Sequence, residues 1–155
     1  MTDVQPLQAL LAQTERERDA ALSDQQRAVA ADAAARQQAD QLREYRREYE
    51  QRWQREFAQA GRMELVHCYQ AFMERLTHAV ESQTRIVSEA GARVERTSDT
   101  LRDHEMRCAS VRKLIERRLQ ERRNDGERQA QRQLDELSSR AAWNRLAEAA
   151  QSHTL

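Results

Sequence analysis

Three glycines and one proline in 155 residues leave this chain almost nothing with which to turn, which excludes a fold of many short elements. Aromatic residues make up only 5% of the sequence, too few for a thick globular core. Two cysteines exclude a disulfide framework. Cys68 and Cys108 fall 40 residues apart on one expected helix, about 60 Å along its axis, so they cannot bridge within the chain. Unpaired thiols of this kind suit a reducing cytoplasm. No apolar run approaches the roughly 20 residues that span a bilayer. Met1 to Ala12 lacks both the basic and the apolar stretch of a secretory signal. With 26 basic residues against 26 acidic ones, nothing draws the whole chain toward nucleic acid or anionic lipid.

What the chain does have is a period of seven, mirrored about Gly61. On the C-terminal side Val66, Met73, Val80, Val87, Val94, Leu101, Cys108 and Ile115 recur seven apart. On the N-terminal side Leu7, Thr14, Ala21, Ala28, Ala35, Leu42 and Tyr49 do the same. Folding back at Gly61 sets Tyr49 opposite Met73, Leu42 opposite Val80 and Ala28 opposite Val94, and the match runs on to Leu7 with Ile115. A sustained heptad keeps one seam on one side of a gently supercoiled helix. Two seams in register about one turn predict an all-α fold: a long antiparallel two-helix coiled-coil hairpin with a C-terminal helical overhang. Abundant Ala, Gln, Arg and Glu agree with this locally, because they lose little side-chain freedom in a helix.

The expected organisation is a single hairpin over residues 1–155. Pro6 fits a helix start, helix one covers about 7–58, and the turn falls at Gln59-Ala60-Gly61-Arg62. Helix two covers about 63–123. Asn124-Asp125-Gly126 is expected to break the overhang, with further helix to about residue 150. Alanines crowd residues 28–35, so the seam there buries little area per layer and stability should be modest. Leu134, Leu137 and Ala141 make an apolar stripe with Trp143 and Leu146 close by, beyond the reach of helix one, and such a stripe calls for a partner.

Residues with chemical potential do not converge. His104 and Cys108 lie four apart, as two metal ligands would, but they have no further ligand and both fall on seam positions; no metal or other cofactor is expected. There is no phosphate-binding glycine loop and no nucleophile with a base, so no catalytic residue is assigned and no enzyme is expected. The segment 112–132 has eight basic residues against four acidic ones. The interleaved Glu116, Glu121 and Glu127 read as a solvated helix face, and nucleic acid is not an expected partner. The aromatics say more. Tyr45, Tyr49, Trp53, Phe57, Tyr69 and Phe72 all lie between positions 45 and 72, leaving Trp143 alone elsewhere. They are either a cap that thickens the turn end or an exposed docking patch of the residue types enriched where binding energy concentrates.

Leu42-x-x-Tyr45-x-x-Glu48-Tyr49, then Tyr69-Gln70-x-Phe72-x-x-x-Leu76-x-x-Ala79, and finally Leu134-Asp135-Glu136-Leu137-x-x-Arg140-Ala141-Ala142 resemble the flagellar type III export protein FliJ family, which is related to the stalk proteins of virulence secretion systems. The resemblance covers nearly the whole chain. It implies a non-enzymatic component at the cytoplasmic side of the export apparatus, peripheral to the inner membrane. Such a stalk binds the hexameric export ATPase, promotes its assembly and activity, and links it to the cytoplasmic linker of the export-gate membrane protein and to export chaperones. The gate-docking patch carries over onto Gln38, Leu42, Tyr45, Tyr49, Phe72, Leu76 and Ala79. Gln83 stands where a histidine is expected. The ATPase contact carries over more loosely, onto Leu7, Leu10, Leu11 and Leu22 with Leu134, Leu137, Trp143 and Leu146. The stalk reading expects a monomer in isolation without direct membrane insertion. The alternative is a self-associating coiled-coil scaffold.

Overall fold

In the computed structural model, which describes residues 3–60 and 63–153, the chain forms two long helices, α1 (Gln5–Ala60) and α2 (Met63–Ser152). No strand occurs among the described residues. The Asp3 carboxylate accepts a hydrogen bond from the Gln5 N–H at 3.1 Å, pairing one of the donors that a helix start leaves without a partner. Pro6 sits in the first turn, where its missing N–H costs nothing. The helix therefore begins two residues before the first heptad position. Of the expected turn, Gln59 and Ala60 belong to α1, while Gly61 and Arg62 lie outside the described residues.

The chain divides into two units, residues 14–106 and residues 1–13 with 107–155. In the first, α1 and α2 pack antiparallel. Trp53 meets Tyr69, each eight positions from 61, with ring centroids 5.2 Å apart; Tyr49 meets Phe72 at 4.3 Å. A Cβ added at Gly91 would stand 3.9 Å from Asp32 Oδ1. All three pairs fit the register read from the heptads.

Each helix gives two rows to this seam. The rows read from the sequence, through Ala28 and Val94, are buried or half-buried throughout this unit. A second α1 row runs through Arg18, Gln25, Asp32, Ala39, Arg46 and Trp53, all buried or half-buried. Two of its charges are met along their own helix: Arg18 to Asp19 at 2.9 Å and Asp32 to Arg36 at 3.1 Å. On α2, the Thr84 and Thr97 hydroxyls bond back to the carbonyls of Val80 and Arg93 at 2.8 Å. On α1 the fully packed members are small, with Ala21, Ala28, Ala35 and Ala39 prominent among them, and on α2 Leu76, Val80 and Gln83 are buried. At about 0.8 kcal/mol per buried CH₂, such a seam gives far less than a leucine one.

In the second unit Val4 and Cys108 are buried, and Leu7, Leu11, Val111, Leu114 and Ile115 are half-buried. From Leu119 to His153 every residue is exposed. The expected break at Asn124-Asp125-Gly126 is not observed: α2 runs through it to Ser152. An exposed glycine costs a helix only about 1 kcal/mol relative to alanine, and Gln120 Nε2 bonds Asn124 Oδ1 at 3.2 Å across the suspect turn. The helical neighbours outweigh one weak position.

Candidate functional site

The aromatic residues converge. Along α1 the rings of Tyr45, Tyr49, Trp53 and Phe57, spaced four apart, follow one another at 5.8, 6.1 and 5.2 Å. From α2, Phe72 lies against Tyr49 and, edge-on at 6.4 Å, against Tyr45. Tyr69 lies against Trp53 and Phe57. Four-residue spacing stacks side chains up one helix face, and the register brings the two α2 rings alongside. Burial, then the charge of Glu50, raises the Tyr69 hydroxyl above the ordinary tyrosine value of 10.0. The cluster is both core and surface: most of its rings are half-buried, whereas Tyr45 at its edge is 48% exposed.

The seven positions assigned to gate docking separate by depth. Gln38 and Tyr45 are exposed; Leu42, Tyr49, Phe72 and Ala79 are half-buried. Leu76 is 7% exposed and lies inside the seam. Gln83 is also buried, and its Nε2 donates to the Ala35 carbonyl oxygen at 3.0 Å. Ile86, outside the assigned set, continues the Phe72–Ala79 row and is 48% exposed. Its heptad spacing from Phe72 and Ala79 was the signal for including it.

Among the positions assigned to the ATPase contact, Leu7 and Leu11 are half-buried, and Leu10 and Leu22 are largely exposed. Leu134, Leu137, Trp143 and Leu146 are all exposed, Trp143 to 74%. At about 100° per residue, Leu134, Leu137 and Ala141 share one face of α2, while Trp143 and Leu146 occupy the other side. The tail is thus apolar on two faces.

A third feature was not legible in the sequence. Ala20 and Ala21 leave the groove between the helices unfilled, and a cleft of about 390 Å³ opens there, walled by Glu17, Asp24, Arg96, Thr97, Thr100 and His104. His104 Nδ1 is buried without a hydrogen bond. Glu17 Oε2 approaches it to 3.9 Å, beyond hydrogen-bond range. Among the described residues no three His, Cys, Asp or Glu side chains group as a metal site requires. Cys68 is exposed and Cys108 buried, both as free thiols. No helix among the described residues is long and apolar enough to cross a membrane.

These features define a class, the long antiparallel helical coiled coil whose distinctive side chains are an aromatic cluster and an unpaired apolar tail. A family model described as "Flagellar FliJ protein" matches residues 3–147, and the chain belongs to the FliJ family. That membership associates it with flagellar biogenesis and protein export. No curated protein and no solved structure matches this chain.

Proposed function

We propose that this protein is a non-enzymatic cytoplasmic stalk of the flagellar export apparatus, peripheral at the inner membrane, which binds the hexameric export ATPase, promotes its assembly and activity, and links it to the export gate and export chaperones. The observation that carries the reading is the tail from Leu119 to Ser152, helical throughout and exposed throughout. Leucines on one of its faces and Trp143 with Leu146 on another match a partner that encloses a helix more than one that offers a flat surface. The aromatic cluster supports a second contact, because Tyr45 and Gln38 present an accessible edge beside half-buried rings. The mechanism is binding alone: the terminal segments engage the ATPase ring and the aromatic face engages the cytoplasmic linker of the gate.

The test is ATP hydrolysis and hexamer formation by the cognate export ATPase, with and without this protein. Faster turnover with more hexamer is expected, and Leu134→Asp with Trp143→Ala should abolish it. No effect at saturating concentration, with both proteins folded, would reject the reading. A self-associating scaffold would also cover the exposed leucines, and light scattering separates the two. A monomer fits the stalk, whereas a stable dimer or tetramer fits the scaffold. For the gate contact, Tyr45→Ala should weaken binding of the gate's linker several-fold while helicity is unchanged.

A further inference from the structure

The docking face proposed above is composite. Gln38, Leu42, Tyr45 and Tyr49 come from α1, and Phe72, Leu76 and Ala79 from α2. Its shape therefore depends on how far one helix is offset along the other. On the side of the face toward residues 28–35, packing does little to fix that offset. Ala28, Ala35 and Ala39 of α1 and Ala90 of α2 are small seam members, and shallow knobs leave neighbouring offsets similar in energy. Apolar burial is also non-directional. Beside this stretch, an exposed hydrogen bond crosses from Arg43 Nη2 to Thr84 Oγ1 at 3.4 Å, long and open to competition from water, and one further cross-helix hydrogen bond is buried. Gln83 is 7% exposed, and its Nε2 reaches across the seam to the Ala35 carbonyl at 3.0 Å, in the room left by Ala35 and Ala39.

Gln83 continues the spacing of Phe72, Leu76 and Ala79 at three- and four-residue steps. The family resemblance places it within the docking row, whereas here its amide is spent inside the seam. We infer that Gln83 is a positioning residue: its hydrogen bond to the Ala35 main chain fixes the axial offset of α1 and α2, and through it the alignment of the two halves of the docking face. A buried polar side chain satisfied at one offset and left unpaired at others selects that offset, as a single buried polar residue does in other coiled coils. The inference rests on the docking reading only for its functional consequence; the alignment itself needs no partner.

The experiment is cross-linking in a full-length chain carrying Cys68→Ser and Cys108→Ala. Asp32→Cys with Gly91→Cys reports the observed alignment, since a Cβ at Gly91 faces the Asp32 carboxylate. Asp32→Cys with Val87→Cys reports an offset of one helical turn. With Gln83 present, only the 32–91 pair should oxidise rapidly. With Gln83→Met, which keeps length and volume but cannot donate, both pairs should form at rates within about threefold of each other, and the thermal midpoint should be unchanged or higher. Gln83→Glu, of the same length and without an amide donor, should give the same mixture and so covers a repacking artefact of the methionine. If either variant keeps the 32–91 pair alone, the inference falls. Binding of the gate linker should weaken several-fold in Gln83→Met. Should Tyr45→Ala leave linker binding untouched, the docking reading fails, and the cross-linking result still decides the role of Gln83.

Discussion

Residues 14–60 with 63–106, and residues 119–152, both consist of helix, and they are helical for different reasons. The first region buries a seam from two helices, and its residues of low helix propensity, Val80, Val87, Val94 and Thr97, are tolerated because they pack. The second has no covered residue and depends on what a single helix can do for itself: residues of high propensity and side-chain pairs four apart, such as Gln131 with Asp135 at 3.3 Å. The contrast is that burial specifies the paired region while propensity merely permits the tail. A helix held by propensity is free to offer its side chains to another protein.

Putting the same charge in each region should produce the largest difference. Ala28 is 1% exposed, and Ala28→Asp buries an unpaired carboxylate at a cost of about 3 kcal/mol or more. Leu134→Asp should leave stability within about 0.5 kcal/mol. Urea unfolding measures both, and equal effects would end the distinction. Smaller shifts are expected from the glycines. Gly91 has only an ordinary contact at 3.9 Å and Gly126 has open space around it, so each accepts a Cβ. Gly91→Ala should stabilise cooperative unfolding by about 0.5–1 kcal/mol. Gly126→Ala should deepen the helical ellipticity at low urea without moving the midpoint. The smallest effect is on pH dependence. Tyr69 holds its proton more tightly folded than unfolded, so its contribution is complete below the ordinary value of 10.0 and is lost as pH rises through the folded value. Unfolding followed from pH 9 upward should show a decline in stability that Tyr69→Phe diminishes.

The hairpin was legible because apolar residues mark one row of each seam. The second α1 row was hidden for the opposite reason. Arg18, Gln25, Asp32 and Arg46 are polar; the arginines lay their long stems along the seam, and the short Asp32 is tolerated there by its ion pair with Arg36. The Asn124-Asp125-Gly126 turn signal misled, since it weighs residues singly and a helix responds to its neighbours as well. In the candidate site the aromatic grouping was visible, but depth was not. Leu76 and Tyr45 are both apolar members of a patch, and only three-dimensional register separates the buried one from the exposed one. The cleft at Ala20 and Ala21 left no signal because it comes from volume missing between helices.

The mirrored numbering of the seam makes the paired region a ruler. Removing residues 22–28 together with residues 94–100 deletes one heptad from each strand of the pair and leaves the remaining partners matched across the seam. The result would be a paired region about 10 Å shorter with its aromatic cluster intact. Removing either segment alone would put every pair on one side of the cut out of step. Length can change here only by matched insertions or deletions in two distant stretches of sequence, so a chain of this design holds its span while the composition of its outer faces is free to vary.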